Sequence, residues 1–146
     1  MTTRGAASCA LLAALAGCGD SPPRFAAALI LGGVEISADV LNQGARVYEM
    51  RCASCHGADG SGNGSAGRAL KAPPRDFRAA DFRYTSTGPG ELPSDADLEA
   101  TIRNGRIDNG MPAWNSLSAA DVHAVIQYIK TFSPRWGGPG PADAKS

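Results

Sequence analysis

Cys52-Ala53-Ser54-Cys55-His56 sets two thiols and an imidazole within one short run. Thiols at this spacing add across the two vinyl groups of one porphyrin, and the adjacent imidazole then lies beneath the iron as its proximal ligand. The cofactor implied is one covalently attached haem c. The same residue types also suit three ligands of a zinc site, completed by His123, or a Cys-x-x-Cys redox pair.

An iron held by His56 alone stays open to small ligands, whereas a second protein ligand closes it for outer-sphere electron transfer. Met50 sits at the end of the helix that delivers the proximal side and is badly placed for the opposite face. His123 falls on a helix flank, about 100 degrees from Val122 on an ideal wheel, where a histidine is usually solvated. Met111 lies in a loop, Asn109-Gly110-Met111-Pro112, with Gly110 permitting close backbone approach and Pro112 restricting the loop behind the thioether. Methionine is more often core filling. A haem needs a distal neighbour, however, and this loop makes Met111 the expected iron ligand, with His56 the other. A thioether opposite an imidazole favours ferrous iron and raises the reduction potential. Trp114 is expected to line the distal side as pocket core.

Three helices must position these groups. The first spans about 37–50, with Ser37 as N-cap and Val40, Leu41, Gly44, Val47 and Tyr48 along one stripe. Gly44 inside it costs about 1 kcal/mol against Ala, so something must approach closely there. Ser94 caps a second helix of about ten residues, with Asp95 and Asp97 in its first turn, Leu98 and Ile102 on one face and Gly105 past its end. Ser118 caps a third, with Asp121 at the box position, Leu117 stapling to Val122, an apolar face of Val122, Val125, Ile126 and Ile129, and Pro134 ending it.

The intervening segment, 57–93, is Gly/Pro-rich and too long for an ordinary structureless loop unless it wraps a rigid macrocycle. Gly62 to Gly67 fits G-x-G-x-x-G but lacks the strand and β-α-β context of a dinucleotide site. Asp59 begins a calcium-like loop whose twelfth position is Leu70 in place of a bidentate Glu.

Met1 to Gly17 reads as an export signal, with Arg4 as its basic end and an apolar stretch from Ala10 to Ala16 too short to span a bilayer. Leu15-Ala16-Gly17-Cys18 resembles a bacterial lipobox, which would make Cys18 the lipidated mature N-terminus. Ordinary secretory cleavage after Ala16 is the alternative, leaving Cys18 an odd thiol. Either route exports the chain, in agreement with haem attachment outside the cytoplasm. The expected organisation is a leader at 1–17, a tether and N-terminal extension at 18–36, a haem domain at 37–133 and a disordered tail at 134–146. Within the extension, Ala28 to Ile36 suits a short hairpin around Gly32-Gly33 or a strand laid on the domain.

The chain carries 14 basic and 14 acidic residues, and losing Arg4 with the leader leaves 13 against 14. No nucleic-acid partner is implied. Three helices enclose little core by themselves, so the porphyrin must supply much of the apolar interior. Arg68, Lys71, Arg75, Arg78 and Arg83 concentrate positive charge in the central loop, while Glu91, Asp95, Asp97 and Glu99 cluster after it. This is either a solvated surface or a set in which Arg68, Lys71 or Arg75 meets a propionate or rings the haem edge to steer an acidic partner.

Gly44 and Tyr48, the Cys52 to His56 run, the Gly-rich run to Pro74, Met111-Pro112 and Tyr128 together resemble a class I cytochrome c of the small bacterial type, over about 37–132. The resemblance implies an all-α fold in which the first and last helices cross at Gly44, with Tyr128 nearby. It also implies a main-chain carbonyl accepting from the proximal imidazole Nδ1, from a proline in the family and from Ser65 by position here. The function implied is a non-enzymatic carrier of one electron between larger redox proteins on the periplasmic side, held to a membrane by lipid and acting on no small-molecule substrate. A haem enzyme or small-ligand sensor is the alternative, and requires that Met111 be off the iron or easily displaced.

Overall fold

The computed structural model describes residues 23–140. The expected leader, Cys9, the lipobox with Cys18, and the last six residues lie outside the described residues. A two-stranded hairpin, β1 (Leu29–Leu31) and β2 (Val34–Ile36), precedes α1 (Ala38–Arg51) and the single turn α2 (Ala53–His56). After the central loop come α3 (Asp95–Asn104) and α4 (Ala119–Lys130), with 3-10 turns at Gly67–Ala69, Ile107–Asn109 and Pro134–Trp136. The three long helices therefore form where the caps and stripes place them. Ser37, Ser94 and Ser118 each accept a backbone amide of the first turn.

The framework is the crossing of α1 and α4. A Cβ on Gly44 would stand 2.1 Å from the Ala124 carbonyl oxygen and 2.8 Å from Tyr128 Cβ, so the backbones meet where only hydrogen fits. This is what the glycine's helix cost supports. Around the crossing, Tyr48, Tyr128 and Phe132 form a fully buried triangle with ring centroids 5.1–5.3 Å apart. Burial holds the Tyr48 phenol far above its ordinary pKa. Its hydroxyl donates to the Gly57 carbonyl at 2.7 Å, tying the middle of the core to the turn just after His56.

α3 is locked to α4 by polar groups. Lys130 Nζ meets Asp95 at 2.6 Å, while Gln127 donates to the same carboxylate at 2.7 Å and accepts from Lys130 at 3.0 Å. That network explains how Gln127 and Lys130 can be buried on a helix whose sequence shows a narrower apolar face.

Both ends of the described chain differ from a bare tether and a disordered tail. Ala28 to Ile36 takes the hairpin alternative, pairing Leu29 with Ile36 and Leu31 with Val34 across Gly32-Gly33. Phe25 is buried, and its backbone is bracketed by the Asn42 amide at 2.9 and 2.8 Å. The disordered tail expected from Pro134 onward is corrected for 134–140. α4 stops at Lys130, and the chain turns through Pro134–Trp136 so that Trp136 is buried edge-on to Phe82. The Gly32 amide donates to the Trp136 carbonyl at 2.8 Å and the Gly140 amide to that of Thr131 at 3.1 Å. Gly/Pro composition suggested disorder, but the indole needs burial and the hairpin offers it a surface. No helix among the described residues is long and apolar enough to cross a membrane.

Candidate haem-binding cleft

Cys52 ends α1, its amide bonded to the Tyr48 carbonyl, and at once begins α2. Cys52, Cys55 and His56 therefore project from one helical turn at i, i+3 and i+4, the spacing that sets side chains on a common face. All three are half-buried and line one cleft of about 360 Å³, a volume typical of cofactor sites.

The Gly-rich run lies against this turn. The amides of Gly62, Gly64 and Ala66 donate to the carbonyls of His56, Cys55 and Ser54 at 2.8–3.1 Å, satisfying acceptors that a helix end leaves open. A Cβ on Gly64 would sit 2.3 Å from the Ser54 oxygen. The glycine spacing that resembles a phosphate loop thus serves contact between two stretches of backbone.

His56 is fixed on two sides. Its ring stacks on Phe77, centroids 4.4 Å apart and 15° from parallel, and Nδ1 lies 3.3 Å from the Arg75 carbonyl oxygen. The acceptor is therefore not Ser65, which is exposed on the Gly-rich run; it follows Pro73-Pro74, whose rings stiffen the chain where it returns beneath the imidazole. With Nδ1 engaged, Nε2 is the nitrogen left for a metal. Desolvation, partly opposed by the Arg75 carbonyl, holds the imidazole pKa below its ordinary value and so keeps the ligating neutral form.

Met111 lines the same cleft from the connection between α3 and α4. Arg106 and Met111 form an isolated antiparallel bridge, exchanging N–H···O bonds of 2.9 and 3.1 Å around the 3-10 turn Ile107–Asn109. Gly110 closes the loop at φ 85°, a left-handed conformation that side chains resist. It makes this turn, and a Cβ there would stand 2.7 Å from Leu70 Cδ2. Trp114 also lines the cleft, its amide bonded to the Ile102 carbonyl at 3.0 Å and the Arg51 guanidinium 5.8 Å above its ring.

The other candidates separate. Met50 reaches only the rim and is 68% exposed, and His123 is exposed on α4 away from the cleft. Among the described residues no group of three His, Cys, Asp or Glu side chains is arranged to hold a metal, so His123 does not complete a zinc set with the motif. Burial, followed by the neighbouring Cys55, pushes the Cys52 thiol up to about 12, the reverse of the low-pKa thiol of a redox pair.

Of the basic residues expected at a propionate, Arg68 and Lys71 are exposed and do not line the cleft, whereas Arg75 does and pairs with Asp81 at 3.8 Å. Arg78 is taken up by Asp76 and Asp59. Sequence reasoning missed Phe77 as the stacking partner, and Arg51, Tyr84 and Arg106 as cleft residues. For Arg106 a signal existed: glycines at 105 and 110 bound a short loop, and closing it pairs Arg106 with Met111.

The donor set fits a haem. A single turn presents both thiols and the imidazole, the remaining lining is largely apolar, and the ring nitrogen not needed for iron is already bonded. In line with this, residues 39–129 match the family model for cytochrome c oxidase, cbb3-type, subunit III. A component of the reducing HAO-like protein complex of Kuenenia stuttgartiensis is similar in structure, with a TM-score of 0.61 and 34% identity over 63% of this chain. This chain spans 42% of that component's length. The all-α cytochrome c fold is thus established.

Proposed function

The chain belongs to the cytochrome c family represented by subunit III of cbb3-type cytochrome c oxidase, and from that premise we propose that it is a single-haem carrier, ligated by His56 and Met111, that passes one electron between larger redox proteins on the periplasmic side. The observation that carries this reading is the convergence of Cys52, Cys55 and His56, on one turn, with Met111, on a separate bridged loop, in one cleft. Bound there, haem c supplies a one-electron iron couple.

The chain's own residues act by holding that couple in one geometry. Cys52 and Cys55 anchor the macrocycle covalently, Phe77 and the Arg75 carbonyl orient the imidazole, and the Arg106 to Met111 bridge stiffens the thioether's approach. Leu98, Ile102, Val125 and Ile129 keep water from the enclosed side. No bond of a substrate is made or broken in this reading. The similarity to part of an HAO-like complex supports work within, or beside, a larger redox assembly. Lipidation at Cys18 would hold the carrier at a membrane surface, as multiple acyl chains suffice to do.

The test is an optical spectrum of both oxidation states after periplasmic expression, with Met111→Ala beside the parent protein. A thioether-to-iron charge-transfer band present in the ferric parent and lost in the variant is the expected result. Ready carbon monoxide binding by the ferrous parent, without that band in its ferric form, would instead identify an open-site haem enzyme or sensor. A polypeptide mass without added haem would end both readings.

A further inference from the structure

Arg106 has a polar atom that the site as described leaves unused. Its side chain lines the cleft, its Nε is buried with no hydrogen-bond partner among the described residues, and its guanidinium carbon lies 3.7 Å from the Tyr84 ring centroid. Stacking of that kind fixes the plane of the fork and offers its N–H groups no acceptor. A buried donor left unpaired is disfavoured enough that native interiors rarely keep one, so an acceptor belongs beside it.

The bridge decides where the donor points. Arg106 and Met111 exchange both backbone bonds, and the side chains of such an antiparallel pair project from the same face. Whatever aims the thioether into the cleft aims the guanidinium there too. Among the described residues, the charged side chains lining the cleft are Arg51, Arg75, Arg83 and Arg106, with no carboxylate. Arg75 already faces Asp81, and Arg51 lies over Trp114. An occupant of the cleft can supply the acceptor that Arg106 Nε lacks among the described residues, and the anionic groups of a haem are its two propionates.

We propose that Arg106, held flat by Tyr84, anchors a haem propionate through its buried Nε–H, in place of the exposed Arg68 and Lys71. The proposal rests on the haem reading above. It gives the Arg106–Asn109 turn two tasks, since the loop that presents Met111 also grips the edge of the macrocycle. The cation offsets the propionate's negative charge as sensed at the iron, which favours the ferrous state.

The experiment compares the exported, haem-loaded parent with Arg106→Gln, Arg106→Lys and Arg68→Gln. Haem content is read by pyridine haemochrome, propionate hydrogen bonding by the propionate-bending band in the resonance Raman spectrum, and the midpoint by redox titration. The expected result is a shifted bending band in both Arg106 variants and an unshifted one in Arg68→Gln. Arg106→Gln should also move the oxidation equilibrium about tenfold toward ferric iron, equivalent to a midpoint lower by about 59 mV for one electron. If Arg106→Gln accumulates no haem, Arg106→Lys decides on the same band. A haem-loaded Arg106 variant with the parent's bending band overturns the propionate assignment and leaves the haem reading intact. A parent without haem overturns both.

Discussion

His56 is oriented by one ring and one main-chain atom, and the two respond differently to substitution. The acceptor of its Nδ1 proton is the carbonyl of residue 75, not the arginine side chain. Arg75→Gln should therefore leave the haem spectrum of both oxidation states unchanged, since it keeps that carbonyl and removes only a 3.8 Å contact to the exposed Asp81 carboxylate. Phe77 is the opposite case, because it is buried and stacks on the imidazole while contacting Tyr48 and Phe132. Truncating such a ring to Ala typically costs about 3–5 kcal/mol. Phe77→Ala is expected to lower the unfolding free energy measured in urea by that order and to loosen the proximal ligand, detectable as shifted paramagnetic NMR resonances of the His56 ring in the ferric protein. A spectrum altered by Arg75→Gln but not by Phe77→Ala would contradict this account of the proximal side.

At the level of elements, the crossing of α1 and α4 and the cap of α3 make separable predictions. Gly44→Ala gains about 1 kcal/mol of helix propensity. The new methyl would nevertheless meet the Ala124 carbonyl at 2.1 Å, and forcing backbones apart typically costs about 1–3 kcal/mol or more, so the net effect is destabilising. Unchanged or raised stability by denaturant titration would mean that the helices separate freely.

Asp97 governs the α3 cap. Hydrogen bonds from Ser94, then from Ser86, hold its carboxyl down to about 2. Its folded value lies below the unfolded one near 3.9, so its contribution is fully present above about pH 4 and is lost as pH falls toward 2. Asp97→Asn should flatten the stability profile of the holoprotein in that acid window and leave its shape above pH 5 unaltered. An undiminished acid slope in the variant would assign acid sensitivity to Asp59, Asp76 and Asp121, whose carboxyl pKa values are also lowered.

For the whole molecule, the cleft matters because its lining is largely apolar and draws on the central loop and all three long helices. Apolar lining atoms that face water there gain contact and burial when a macrocycle covers them, and that gain is part of the folded state's stability. The exported double variant Cys52→Ala, Cys55→Ala is therefore expected to lack fixed near-ultraviolet dichroism and to be digested readily by protease. A haem-free variant as protease-resistant as the holoprotein would show that the polypeptide holds the cleft open unaided. The hairpin and Trp136 pack on each other, and Trp136 on Phe82, so residues 25–36 and 134–140 belong to the folded unit.

Local information by itself determined the cofactor, the three long helices with their capping serines, the glycine at the helix crossing and the loop that bears Met111. Each depends on spacing within a few residues, which the chain carries with it wherever it goes. Only the tertiary structure decided the Nδ1 acceptor, since Arg75 is 19 residues from His56 and reaches it through the fold of the central loop. The same holds for the choice of Arg106 over Arg68 and Lys71, because which cation loses its water depends on the walls that close around it. Trp136 makes the point at the chain's end: a Gly/Pro-rich stretch has no order of its own, but a hairpin formed a hundred residues earlier supplies the surface that orders it.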